Sequence, residues 1–194
     1  MNIQDQIDWI VKHNFDAIRG LSTLELGSFT GEYFTPKLVE YSSSVTCIEL
    51  YSEAVTTLKK NFKNNITVVH EDFHDAVKTV GEFDAVVLYG VLYHSPSPLK
   101  LIEDIANYVK PKVILLETQH EMYTTSMADE IDNAPGMRQS KFKTCGISLI
   151  IGTDVFKKAL ANLGYIEKQR LRYVSDTPNY YKDGWIYSIF ELIQ

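Results

Sequence analysis

The sequence predicts an α/β fold, an open and doubly wound sheet that is mostly parallel and covered by helices on both faces. Three observations carry that expectation. Short apolar runs of strand length alternate with segments whose apolar residues recur at helical spacing, and a pair of strand-like runs follows them. The run from Phe83 to His94 is nearly continuously apolar, as a central parallel strand buried on both faces should be, and ends in polar residues. The segment Leu24-Glu25-Leu26-Gly27-Ser28-Phe29-Thr30-Gly31 places an acid and two glycines where an apolar strand must turn into a helix.

Taken in order, Ile3, Ile7, Ile10, Val11 and Ile18 fall near helical spacing, interrupted by Asp5, Asp8, Lys12 and His13. That pattern is a short helix covering the sheet, neither a signal sequence nor a membrane span. Thr23, Leu24 and Leu26 form the first strand, and Phe34, Leu38 and Val39 stripe the helix after it. Ser44 to Ile48 is the second strand, ending in Glu49, and Ile66 to His70 is the third, leading into Glu71-Asp72-Phe73. The Phe83 run is the fourth. Pro98 through Val109 carries a helical stripe stopped by Pro111, and Lys112 to Glu117 is a fifth buried strand. Thr153 or Asp154 caps a helix through Leu163, with Gly164 as its stop. Tyr165 to Tyr173 and Trp185 to Leu192 are two strands joined by a turn-rich segment. Right-handed crossovers then give the doubly wound sheet.

Composition suits one domain over residues 1–194, with 45% hydrophobic and 23% charged residues and no linker or low-complexity tract. The long insertion 118–149 mixes Met122, Tyr123, Met127, Met137 and Phe142 with charges, and reads equally as a lid over a site or as a surface excursion. Cys47 and Cys145 are the two cysteines, which fits a reducing, cytoplasmic setting without a disulfide framework. His70 and His74 span a strand-to-loop transition rather than one helix face, so no metal site is expected. A net charge of −6 disfavours a polyphosphate partner, with local exceptions around Arg138, Lys141 and Lys143 and along Lys168, Arg170 and Arg172. The latter group alternates as a solvated strand face would. The oligomeric state is open, and no membrane partner is expected.

The first turn narrows the ligand. Glycine permits positive φ and close backbone approach, and a helix start offers unpaired N–H groups. A dinucleotide fingerprint needs a middle glycine that Gly27-Ser28-Phe29-Thr30-Gly31 lacks, and a phosphate loop needs a Lys where Glu32 follows Gly31. Glu25, two residues before Gly27, suits a cofactor with a cationic amino group instead.

The segment resembles the first motif of class I S-adenosylmethionine-dependent methyltransferases, E/D-x-G-x-x-x-G, in which the glycines pass under the methionine part of the cofactor. Many members carry glycine where Phe29 stands. The resemblance covers about Leu24 to Leu192 and implies a Rossmann-like sheet closed by an antiparallel last strand. It implies S-adenosyl-L-methionine as cofactor, held by Glu25, Gly27, Ser28, Phe29 and Gly31. Glu49, 18 residues after Gly31, would take the ribose hydroxyls beside Leu50, although a helix-terminal acid has the same pattern. Asp72 would accept from the adenine amino group and Phe73 would line the ring, although Asp72 also suits a helix cap. Tyr89, Gly90, Tyr93 and His94 would face the transferred methyl group at the end of the fourth strand.

The implied reaction is in-line displacement at a sulfonium methyl, in which alignment and water exclusion matter most. For a hydroxyl acceptor, His94 is the best-placed base, with Tyr93 and His120 behind it. A narrower likeness, Gly90-Val91-Leu92-Tyr93-His94-Ser95-Pro96-Ser97-Pro98-Leu99 with Leu115-Leu116-Glu117-Thr118, is to tRNA wobble-uridine carboxymethyl transferases, which use a carboxylated form of the cofactor. Those enzymes carry an amino-terminal extension and basic surfaces that are not expected here. A small-molecule acceptor is therefore the first expectation, with tRNA, a non-catalytic cofactor-binding module and an NAD-dependent oxidoreductase as alternatives.

Overall fold

Runs rich in Val, Ile and Leu form five parallel strands, because branched side chains pack well on a pleated surface covered on both sides. They are β1 (Ser22–Leu26), β2 (Ser44–Glu49), β3 (Thr67–His70), β4 (Ala85–Leu88) and β5 (Val113–Thr118). The computed structural model describes residues 3–118, 125–129, 147–173 and 185–193. Cys145 and His120, with Met122, Tyr123, Met137, Phe142, Arg138, Lys141 and Lys143, lie outside them.

The sheet has seven strands in the order β3-β2-β1-β4-β5-β9-β8. β8 (Tyr165–Tyr173) and β9 (Trp185–Leu192) have the bounds expected from the sequence, and β9 runs antiparallel to both β5 and β8. The chain moves outward from β1 to β3 and then returns to place β4 on the other side of β1. A crevice therefore opens at the carboxyl ends of β1 and β4, where open α/β sheets bind ligands.

Alternation along the strands divides the core in two. Leu24, Leu26, Val86, Leu88, Ile114 and Leu116 face helices α4 (Phe73–Ala76), α5 (Pro98–Asp104) and α6 (Thr153–Asn162). Val45, Cys47, Val87 and Leu115 face α1 (Ile3–Asn14), α2 (Thr35–Tyr41) and α3 (Ser52–Phe62), packed with Ile7, Ile10, Leu38 and Leu58. Pro98 opens α5, where its missing N–H costs nothing, and a wider turn over Ile105–Val109 carries the stripe on to Pro111. No helix among the described residues is long and apolar enough to cross a membrane.

One local expectation needs correction. Gly152, not Thr153 or Asp154, occupies the N-cap of α6. The Thr153 hydroxyl instead bonds that of Thr118 at the end of β5, a long-range partner that local capping rules do not register. Within the 118–149 insertion, β6 (Thr125–Asp129) pairs antiparallel with β7 (Ile147–Ile151), and β7 lies against the short turn Leu92–His94.

Gly31 shows how the first turn fits this packing. It has φ +75°, and a Cβ there would come within 2.6 Å of both Leu58 Cδ2 and Phe62 Cε2 on α3. Gly20 has the same φ with nothing within 4 Å of its Cβ position. Gly31→Ala is expected to lower unfolding free energy by roughly 1–3 kcal/mol more than Gly20→Ala, the overpacking cost beyond the shared backbone strain. Urea denaturation of the two variants checks this; equal losses would mean α3 gives way freely.

Candidate active site

The carboxyl ends of the parallel strands gather the acids that the sequence singles out. Glu25 is buried within β1, and its Oε2 accepts hydrogen bonds from Thr35 Oγ1 at 2.7 Å and Cys47 Sγ at 3.4 Å. Burial raises its pKa above the ordinary carboxylate range and also raises that of the Cys47 thiol. Beyond β1, the Gly27 N–H donates to the Ile48 carbonyl at 2.9 Å, and the Gly31 N–H closes the turn on Ser28 O at 3.0 Å. Ser28 Oγ lies beside Glu25 and Cys47 without the geometry of a hydrogen bond, and Thr30 Oγ1 is likewise buried without a partner among the described residues.

Phe29 has φ +49°, a left-handed conformation that glycine adopts without steric cost. Two contacts hold it there. Its N–H donates to Glu49 Oε2 at 2.7 Å, and its ring stacks on Tyr51 at 6.4 Å and 8°. Glu49 Oε1 accepts from the Tyr51 N–H, also at 2.7 Å. The carboxylate at the end of β2 thus staples the glycine turn to the start of α3. Leu50 is half-buried, and its carbonyl accepts from His70 Nε2 at 3.0 Å.

Asp72 caps α4, its Oδ1 accepting from the His74 N–H at 3.0 Å, so the capping geometry is present. The same oxygen lies 2.8 Å from His74 Nδ1, and His74 Nε2 lies 2.8 Å from Ser95 Oγ. Ser95 Oγ also accepts from the Ser97 N–H at 3.1 Å. One tautomer satisfies the series: Nδ1–H donates to Asp72 and Nε2 accepts from the Ser95 hydroxyl. Phe73 is half-buried, with its ring 4.5 Å from that of His74.

At the end of β4, alternation turns Tyr89 toward α1, where its buried hydroxyl accepts from Asn14 Nδ2 at 3.0 Å. Gly90 has φ +70°, and a Cβ there would lie 3.6 Å from Tyr93 Oη, so the Tyr93 hydroxyl hangs over this glycine. Tyr93 and His94 are both half-buried, with rings 4.4 Å apart, and Trp185 lies 6.3 Å from Tyr93.

A carboxyl outside the expected site residues completes this end. Glu117 follows four apolar residues on β5 and is 8% exposed, with Oε1 accepting from the Gly90 N–H at 3.1 Å. It lies opposite Tyr187 of β9 in the antiparallel pair. Burial pushes its pKa up to about 7, against the opposing pull of the Tyr187 hydroxyl and the Gly90 amide. No described cation contributes to that balance. The sequence did hold a signal: Glu117 closes the apolar run of β5 as Glu49 closes that of β2.

A family profile described as a methyltransferase domain matches residues 24–116, the span from β1 to β5 that builds this crevice. Just under half of the chain thus matches a methyltransferase domain, carried on the fold of the class I S-adenosylmethionine-dependent methyltransferases. This methyltransferase is 29% identical over 117 residues to ribosomal RNA small subunit methyltransferase A of Mesomycoplasma hyopneumoniae strain 232, covering 58% of the chain and 42% of that protein. It therefore spans less than half the length of that relative. Among solved structures, the N-terminal domain of EvdMO1 with SAH and D-fucose superposes with TM-score 0.70 at 19% identity, covering 98% of this chain and 84% of that one. The N-methyltransferase NodS from Bradyrhizobium japonicum WM9, in complex with S-adenosyl-L-homocysteine, gives TM-score 0.70 at 16% identity, with coverages of 98% and 87%. At these identities both establish the fold.

Glu117 makes the stability of this methyltransferase pH-dependent. Between the ordinary carboxyl value of 4.5 and about 7, the folded form keeps a proton that the unfolded chain has lost, so the group's contribution falls as pH rises through that window. Glu117→Gln should match wild type near pH 4.5 and exceed it by about 3 kcal/mol above pH 7. Chemical denaturation at a series of pH values reads the difference; a gap that stays flat across the window would refute the assignment.

Proposed function

We propose that this methyltransferase transfers a methyl group to a small-molecule acceptor held between Gly90, Tyr93 and Glu117. S-adenosyl-L-methionine supplies an activated sulfonium methyl group. The residues present fit that cofactor: Ser28 Oγ and Thr30 Oγ1 are buried hydroxyls without partners among the described residues, next to the acid Glu25. Such groups suit the polar amino-acid end of the cofactor. Gly27 has φ +68°, with Val91 Cγ2 2.9 Å from where a Cβ would sit, and Phe29 is held in place by the Glu49 staple. In this reading each Glu49 oxygen uses its second lone pair for a ribose hydroxyl, with Leu50 alongside. Asp72 and Phe73 serve the adenine.

The observation that carries the small-molecule reading is the aromatic enclosure of the acceptor end. Tyr93, with Trp185 beside it, lies next to Gly90, and Tyr187 lies opposite Glu117, ring surface that suits a compact ligand. His94, beside Tyr93, is our candidate base for a hydroxyl acceptor, and the β6–β7 hairpin against that turn is our candidate lid.

Likeness to a ribosomal RNA methyltransferase favours RNA as a second reading. The charge on β8 weighs against it. Arg170 pairs with Glu167 at 2.6 Å and Asp154 at 2.8 Å, and Lys168 pairs with Glu191 at 3.4 Å, so two basic residues of that strand already face acids.

Calorimetric titration with S-adenosylmethionine, S-adenosylhomocysteine and NAD tests the cofactor site. Both sulfur compounds should bind in preference to NAD, and Glu49→Ala should weaken them by about 1.5–3 kcal/mol. Transfer of tritiated methyl should then label a protein-free metabolite extract rather than total RNA. Label confined to RNA would overturn the small-molecule reading, and preference for NAD would overturn the site.

A further inference from the structure

We propose that Glu117 is the acceptor-recognising carboxyl of this methyltransferase and that the acceptor it selects is an amine, bound through its ammonium N–H groups. The inference rests on the methyltransferase reading for the methyl donor alone. The binding claim stands on the acceptor end itself.

Three features converge on one spot. Glu117 Oε1 is fixed by the Gly90 N–H at 3.1 Å, so the carboxyl lies at the shared carboxyl ends of β4 and β5. The Tyr93 hydroxyl lies close to the same glycine, 3.6 Å from where its Cβ would be. Aromatic faces form the surroundings: Tyr89 packs edge-on against Tyr187 at 5.3 Å, Trp9 of α1 lies 6.4 Å from Tyr187, and Trp185 lies 6.3 Å from Tyr93. A carboxylate within an aromatic enclosure recognises an organic ammonium, through an ion pair and through cation–π attraction to the ring faces.

Stability alone does not account for this residue. Core positions of β5 hold Val113, Ile114, Leu115 and Leu116, and an apolar residue next in line would avoid the desolvation of a carboxylate. Among the described residues no cation compensates Glu117. The titratable groups that face it are Tyr187 from β9 and Tyr89 from β4, both raised by burial and neutral near pH 7, with Tyr93 beyond Gly90. From α1, Gln6 Nε2 donates to the Tyr187 hydroxyl at 2.8 Å and Asn14 bonds Tyr89, and neither amide titrates. The positive partner is supplied by the ligand.

The same carboxyl then makes the nitrogen nucleophilic. The bound ammonium passes one N–H proton to the Glu117 carboxylate, which frees the nitrogen lone pair. The lone pair forms the new N–C bond as the C–S electron pair returns to sulfur, and the positive charge lost there reappears on nitrogen. The methylated ammonium departs, and Glu117 releases its proton to solvent. A carboxyl raised by burial toward neutrality is suited to hold a proton for that interval.

The test titrates the protein with benzylamine and with its neutral isostere benzyl alcohol, with and without saturating S-adenosylhomocysteine. Wild type at pH 8 should bind benzylamine at least tenfold more tightly than the alcohol. In Glu117→Gln, which keeps an oxygen for the Gly90 N–H, that preference should vanish while S-adenosylhomocysteine affinity stays within twofold. A second readout needs no variant. At pH 7, amine binding measured in two buffers of different ionisation enthalpy should release a fraction of a proton from the wild type, and alcohol binding none. Absence of amine preference, a preference that survives Glu117→Gln, or binding without proton release overturns the proposal. Failure to bind S-adenosylhomocysteine would instead fail the cofactor site, and the titration without it still decides the role of Glu117.

Discussion

Both faces of the central strands are buried, and that constraint determines where this protein can hold polar chemistry. Every position of β4 and β5 is sequestered, and their backbone groups are spent on neighbouring strands. A charged side chain in the middle of such a strand would have neither water nor a donor. Acids therefore occur near carboxyl ends, where the chain leaves the ladder and free N–H groups become available. Glu49 takes those of Phe29 and Tyr51, Asp72 takes that of His74, and Glu117 takes that of Gly90. These three carboxyls are anchored by main-chain amides, which fixes their direction far better than a flexible cation would.

The anchoring also links parts of the crevice that are distant in sequence. Glu49 joins the glycine turn to α3, so the left-handed Phe29 and the α3 start form one unit. The series Asp72, His74, Ser95 and the Ser97 amide joins the end of β3 to the segment carrying Tyr93 and His94. On the other face, Asn14 and Gln6 tie α1 to the Tyr89 and Tyr187 hydroxyls. A helix that the sequence presents only as an apolar cover thus also positions the Tyr89 and Tyr187 hydroxyls.

Much of the fold was legible because burial on two faces leaves a strong one-dimensional trace. The apolar runs gave the five parallel strands, and the β8 and β9 bounds came directly from the Tyr165 and Trp185 runs. Roles that depend on distant neighbours left no such trace. Gly31 reads as room for a ligand, yet its missing Cβ accommodates Leu58 and Phe62, which only the placement of α3 reveals. Tyr89 was placed toward the methyl group by its position after β4, whereas the side-chain alternation that puts Val87 on the α1 face carries Tyr89 there too. Thr153 lost its expected capping role to a hydroxyl 35 residues away. Glu117 sat in the Leu115-Leu116-Glu117-Thr118 segment with no role assigned to it, and only its burial beside Gly90 distinguishes it from an ordinary strand-end acid.

The strand order has a bearing on biosynthesis. β9, the last of the seven sheet strands to be made, inserts between β5 and β8 rather than adding at an edge. The crevice is built from β1 to β5 and their helices, all of which precede it on the nascent chain. Tyr187, the residue opposite Glu117, arrives with β9. Vectorial synthesis therefore builds the nucleotide half first and leaves the β5 edge open until the final strand docks. A chain arrested before β9 would carry β5, with its four leading apolar residues, as an unpaired edge open to pairing with another chain, so the docking of β9 both closes that edge and brings Tyr187 to Glu117.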